Sequence, residues 1–272
     1  LGLGGKPSIS LSESKIERHA ISELLKELGM GFVQFPAGTV DIKKLTAKAD
    51  LPKIEGELEV EFSDALVAAA RWGAGKVSFA LSAGFLVENS NIQLTDIKLT
   101  SAQSATALSC SGTWRDSALN LLDLKLAVGD ARTLVEQWGL AAMDIRLAGE
   151  VKYDGDLALS FPAEGITVRG GGVVQANRLA YDPELLPFTL DPSELELHCS
   201  FHYNPAIFVL NVDSATLVTK GFCTKYGAFV SKAPTKISGK LNIAPAVTSG
   251  DFKLGCDGVF DAEASLKIPT RG

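Results

Sequence analysis

Between Lys76 and Val128 the sequence alternates apolar with small or polar residues in four successive blocks, and no other feature restricts the fold as much. The blocks read Lys76-Val77-Ser78-Phe79-Ala80-Leu81-Ser82, then Ile92-Gln93-Leu94-Thr95-Asp96-Ile97-Lys98-Leu99-Thr100, then Ala107-Leu108-Ser109-Cys110-Ser111-Gly112, and finally Leu122-Asp123-Leu124-Lys125-Leu126-Ala127-Val128. Side chains on a strand point to alternate faces, so each block buries one face and wets the other. The segments between them, Glu88 to Asn91, Ser101 to Ser104 and Arg115 to Ser117, are too short for a crossover helix and predict antiparallel neighbours.

The 272 residues suffice for a sizeable core, and an all-β chain of this length is commonly one domain, so residues 1–272 are read as a single unit. Hydrophobic residues make up 46% and the mean hydropathy is +0.17, while aromatics are only 7%, so the chain has aliphatic surface to place. Its 26 basic and 32 acidic residues give a net charge of −6 without a long run of either sign, which argues against a surface that tracks phosphates and so against nucleic acid. There is no run of about eighteen apolar residues, the length a spanning helix needs. Together with a first residue, Leu1, that is not methionine, this leads to the expectation that the chain is a piece of something longer.

Along the chain, Ile16, Ala20, Leu24, Leu25 and Leu28 fall on one helical stripe, with charged residues of both signs opposite. Ser14 with Glu17 fits a capping box and Gly29 a stop, which predicts an amphipathic helix over 13–28. Its mixed charges favour docking on the protein's own sheet over a membrane surface. Strands are expected at Gly31 to Phe35, Val40 to Leu45 and Ile54 to Phe62. A hairpin is expected from Asp144 to Asp154 and Asp156 to Phe161, turning at Asp154-Gly155. A strand from Ile166 to Arg169 leads into Gly170-Gly171-Gly172, and strands continue from Leu195 to Ile268.

An internal repeat is also visible. Asp64-Ala65 and Trp72-Gly73 match Asp130-Ala131 and Trp138-Gly139, each pair 66 residues apart, and at that offset Phe79 meets Ile145 and Leu81 meets Leu147. Each unit reads as a short helical turn capped by its aspartate, followed by strands. The units fall at about 62–127 and 128–193, with C-terminal strands over 194–272. One unit cannot bury its apolar face alone, so the period implies units that extend one sheet.

Four features resemble chemical sites and have simpler explanations. Glu57, Glu59 and Glu61 form the polar side of an alternating strand rather than a pair of catalytic acids. The triple glycine lacks a following Lys-Ser/Thr and reads as a bulge or turn. His198 and His202 share a strand face about 13 Å apart at about 3.3 Å per residue, with Cys199 pointing the other way, so they cannot converge on a metal. Cys110, Cys199, Cys223 and Cys256 contain no CxxC pair and read as buried free thiols, with one or two disulfides as the alternative. No catalytic residues, cofactor or metal are assigned.

The run Ile92 to Ser101, followed by Ala107-Leu108-Ser109-Cys110-Ser111-Gly112-Thr113-Trp114 and by Leu119-Asn120-Leu121-Leu122-Asp123-Leu124-Lys125-Leu126, resembles the AsmA-like/TamB family of bacterial envelope proteins. The likeness is clearest over residues 56–161 and returns in Lys236 to Ile243 and Phe252 to Ile268. It implies an elongated, mostly antiparallel curled sheet forming a β-groove, built from repeats, with an N-terminal helix and short inter-repeat helices. It also implies a non-enzymatic, periplasmic protein anchored in the inner membrane by a segment outside this chain. Its groove would bind or conduct phospholipid acyl chains between membranes, alongside inner- or outer-membrane partner proteins. Phe79, Leu81, Leu94, Leu108, Leu124, Leu126, Ile145 and Leu147 are the expected groove residues, on one common side. The alternative is an extracytoplasmic β-sandwich, a binding or adhesion module whose two apolar faces close on each other.

Overall fold

The alternation becomes strand nearly everywhere it occurs. The structure, a computed structural model, describes residues 7–17, 19–20, 23, 33–69, 73–89, 91–137, 147–161, 167–181, 188–190, 195–204, 209–219, 222–224, 230–231, 235–244, 246–256 and 260–269. In chain order the strands are β1 (Ser8–Ile16), β2 (Val33–Asp50), β3 (Lys53–Ala69), β4 (Gly73–Glu88), β5 (Asn91–Ser101), β6 (Thr106–Arg115), β7 (Ala118–Val128), β8 (Leu147–Ser160) and β9 (Thr167–Tyr181). They continue as β10 (Phe188–Leu190), β11 (Leu195–Asn204), β12 (Val209–Thr219), β13 (Phe222–Thr224), β14 (Val230–Ser231), β15 (Thr235–Ile243), β16 (Val247–Cys256) and β17 (Phe260–Pro269). Helix α1 (Ala131–Gln137) lies between β7 and β8. Fourteen strands form one antiparallel sheet in the order β1 to β9, β11, β12, β15, β16, β17, and β10, β13 and β14 form a small separate sheet. The large sheet does not close, since β1 and β17 remain at opposite edges.

The fold is therefore a single open sheet rather than two facing sheets of similar size. Its accessible surface is 17098 Å², against about 11,000 Å² for a compact chain of this mass. Among the described residues, no second sheet of comparable size covers the large one. Burial is strongest where the sheet's own side chains crowd. Val40 and Val60 are buried among Ile16, Leu58, Phe62 and Phe79, and the Phe62 and Phe79 rings stack with centroids 4.3 Å apart. A second buried region surrounds α1, at Thr106, Val128, Ala131 and Ala176. Although α1 follows β7, it packs against both β8 and β4, with three strands between them in the sheet. The sheet curls to meet it.

Acidic residues set the bends. Glu13, Asp64, Asp96 and Asp123 all have positive φ, and the β3–β4, β5–β6 and β7–β8 registers shift at the last three. Aspartate tolerates this left-handed conformation better than most residues because its short side chain bonds locally to backbone. A bulge inserts one residue, bends the strand and increases its twist. It also restores the apolar phase: Leu94 and Ile97, or Leu121 and Leu124, stay on one face although they are three apart.

Several expectations are corrected by these bulges. Residues 13–16 belong to β1, with Ser14 opposite Ile42, so Ser14 is no helix cap. Within the rest of the stretch expected to be helical, His19, Ala20 and Glu23 do have helical backbone. Asp64 opens a bulge inside β3 rather than a helical turn, whereas Asp130 does cap α1. Its Oδ1 accepts hydrogen bonds from the Arg132 and Thr133 amides at 3.1 and 3.2 Å, and its Oδ2 accepts one from the Thr133 hydroxyl at 2.7 Å. The two tryptophans of the repeat, Trp72 and Trp138, lie outside the described residues. Strand β2 continues through Pro36-Ala37-Gly38 with irregular register, and β8 runs straight through Asp154-Gly155 without a hairpin turn. Gly170-Gly171-Gly172 is neither bulge nor turn, because β9 keeps unbroken register with β8 and β11 across it.

The apolar face as candidate functional site

Residues directly opposite in an antiparallel pair share a face, so the register traces rows of side chains across the whole sheet. From Val60 one row passes through Leu81, Leu99, Leu108 and Leu126 to Tyr153. It continues through Val174, Leu197, Leu217, Ile237 and Leu254 to Ala262 on the last strand. Four or five positions along each strand, another row runs from Phe85 through Leu94, Gly112, Leu121 and Leu157 to Gly170, and on to Phe201, Val212 and Leu241. No charged side chain occurs in either row.

Between these rows lies a band of small residues: Gly155, Gly172, Cys199, Ala215 and Gly239 are successive partners. Aromatic rings from the flanking positions lie over its glycines. A Cβ on Gly172 would meet the Tyr153 ring at 3.0 Å and the Gly155 Cα at 2.8 Å, and one on Gly239 would meet the Phe252 ring at 2.9 Å. The Tyr153 hydroxyl is anchored by the carbonyls of Asp156 at 3.0 Å and Gly171 at 3.1 Å, and burial pushes its pKa up, so it remains a donor. The glycines thus make room for rings that lie flat on the sheet. Cys110 and Cys199, both on this face, are free thiols whose pKa values are raised by burial.

The opposite face carries the charge. Lys44 pairs with Glu57 at 2.5 Å, Lys43 with Glu61 at 2.9 Å and Lys253 with Glu263 at 2.7 Å. The Lys44 hydrogen bond and charge hold the Glu57 carboxyl below its ordinary pKa. His198 bonds Glu196, which also accepts from Gln175 at 3.2 Å. Hollows on this side, of about 910 Å³ beside Lys44 and Glu57 and about 760 Å³ among Lys98, Lys125, Lys152 and Glu196, are rimmed by charged groups. Ala80, Ser82, Ala107 and Ser109 also lie here, partnering Glu61, Glu59, Ala127 and Lys125.

Of the residues expected to line a groove, Phe79 and Leu81 on β4, Leu94 on β5, Leu108 on β6 and Leu124 and Leu126 on β7 all share the apolar face. Leu124 is 5% exposed and the other five are half-buried. Leu147 opens β8 opposite Tyr181, beyond a register shift, and Ile145 lies outside the described residues. Sequence reasoning missed the rings of Phe85, Tyr153, Phe201 and Phe252. The signal was present as glycine and aromatic residues at alternating positions, as in Gly250-Asp251-Phe252 and Tyr153-Asp154-Gly155.

Such a surface can exclude water and make dispersion contacts along its length, but it offers few polar groups to orient a reacting bond. It defines a class: a long, open, one-sidedly apolar antiparallel sheet. In comparisons with known proteins, no family model, no curated protein and no solved structure matches the chain.

Proposed function

We propose that the protein is a non-enzymatic lipid-handling component of the bacterial cell envelope, whose apolar sheet face binds or conducts phospholipid acyl chains between membranes. The observation that carries this reading is the apolar row from Val60 to Ala262, which crosses twelve strands without a charged side chain and, among the described residues, without a second sheet of comparable size to cover it. Soluble proteins rarely leave so continuous an apolar surface open, and one that does exposes it for a partner. An acyl chain suits it because the contact is non-directional and the flat rings and glycines keep the surface shallow. The cadence shared with AsmA-like/TamB proteins supports a periplasmic location, attachment to an inner-membrane anchor and envelope partner proteins.

Native mass spectrometry of the purified protein, with extraction of its lipids, tests the reading. Phospholipid is expected to co-purify with the parent and to be lost from a folded Leu81→Arg variant, since Leu81 is half-buried on the face. A lipid-free parent, or retention by the folded variant, argues against it.

A further inference from the structure

On the polar face one row carries hydrogen-bonding side chains on six neighbouring strands. Arg169 on β9 is opposite His202 on β11, and the row continues through Asn211, Asn242 and Ser249 to Lys267 on β17. The Asn242 amide donates to the Asn211 carbonyl oxygen, which leaves the Asn211 amide and the Asn242 carbonyl oxygen open as a neighbouring donor and acceptor. His202 supplies the observation that points to a ligand. Its Nε2 is buried and has no hydrogen-bond partner, although buried polar groups normally find one.

Two hollows of about 480 and about 470 Å³ flank the row and meet at Asp213. Asp213 lies where β12 shifts register against both of its neighbours, and it is exposed. Across the strands the hollows carry charges of alternating sign, in the order Asp156, Arg169, Asp213, Lys240, Asp251 and Lys267. These charges cancel, so the trough does not favour a polyanion or a polycation and suits a neutral, densely hydroxylated ligand.

We propose that this trough binds an extended β-1,4-linked glycan lying across the strands. Neighbouring strands are about 4.8 Å apart, close to the advance per sugar of such a chain, so each strand of the row offers its side chain to the next sugar. A hydroxyl both donates and accepts, so it satisfies His202 Nε2 in either tautomer. Vicinal hydroxyls match the open amide of Asn211 and carbonyl of Asn242 in the same way. The site lies on the face opposite the acyl-chain surface and does not rest on the lipid reading.

Isothermal titration calorimetry of the purified protein with cellopentaose and with chitopentaose tests the proposal. At least one is expected to bind, about tenfold or more tighter than its own disaccharide and than maltopentaose, whose α-1,4 links coil the chain. His202→Phe keeps a ring in place and removes the unpartnered nitrogen, so it is expected to resist urea at least as well as the parent while binding about tenfold more weakly. Arg169→Ala, at an exposed position, replaces it if His202→Phe unfolds, with the same loss expected. Lys44→Ala, on the same face but far away on β2, is expected to bind as the parent does. Binding of neither pentaose, equal binding of maltopentaose, or undiminished binding by the folded trough variant overturns the proposal. So does tighter binding of polygalacturonate that salt abolishes, which would mark a charge-driven surface instead.

Discussion

Leu124 offers the sharpest energetic test of the fold, because it is among the most buried apolar side chains on a sheet that, among the described residues, has no covering layer of similar size. It is 5% exposed, and its partner across the β7–β8 ladder is Gly155. Leu124→Ala removes three carbons, about 2.4 kcal/mol at about 0.8 kcal/mol per buried methylene. Gly155 has no side chain to move into the gap, so a cavity term adds to this and brings the expected loss to about 3–4 kcal/mol. Leu81→Ala, at a half-buried position on the same face, is expected to cost about 1 kcal/mol, since much of that side chain already meets solvent. Equilibrium urea unfolding followed by far-UV circular dichroism measures both, with unchanged m-values as the check that only stability has moved. A loss below about 1 kcal/mol for Leu124→Ala, or one no larger than for Leu81→Ala, would refute the placement of Leu124 in a crowded part of the face.

Three further outcomes follow from particular contacts. Gly172→Ala is expected to be strongly destabilising because its Cβ would strike the Asp154 carbonyl and the Gly155 backbone, whereas Gly171→Ala, whose nearest contact is 3.6 Å, is expected to be tolerated in the same unfolding assay. Tyr153→Phe removes the hydroxyl that bonds Asp156 and Gly171 and should cost about 1 kcal/mol. Asp130→Ala should lower the thermal midpoint at neutral pH by uncapping α1. The carboxyl's pKa is held below 3.8, chiefly by Thr133, so its contribution is full above the unfolded value and lost as pH falls through the folded one. The gap between parent and variant should therefore close below about pH 4.

The faces of the sheet were legible because alternation is a direct consequence of strand geometry: Phe79, Leu81, Leu94, Leu108, Leu124 and Leu126 could be placed on one side before any coordinates. The bulges were not legible, and they account for the clearest misreading. In Ser8 to Ile16, Ile9 and Leu11 alternate, the extra residue at Glu13 shifts the phase, and Ile16 resumes it. Strand β1 therefore runs on to Ile16, where Ser14 with Glu17 imitates a helix cap, and of the expected helix beyond it the described residues His19, Ala20 and Glu23 are helical. Asp64 and Asp130 show the same ambiguity in one residue type, since a short carboxylate suits both a helix N-cap and a left-handed bulge. The polar residues that follow each aspartate do not decide which. The triple glycine was misread for the converse reason: glycine in a strand signals either a break or a close neighbour, and only the Tyr153 and Phe201 rings show that the neighbour applies.

The central claim, that acyl chains lie against the apolar face, is tested most directly by quenching of Trp114 fluorescence with phospholipids brominated on their acyl chains. Trp114 sits on that face between Ile92 and Leu119, beside the Phe161 ring at 5.2 Å. In a Trp72→Phe, Trp138→Phe background it reports alone. A control with Trp114→Phe and Leu122→Trp moves the reporter to the polar face, where Leu122 is opposite Ser111. The account predicts strong quenching of Trp114 and little quenching at position 122. No quenching of Trp114, or equal quenching at both positions, would contradict it.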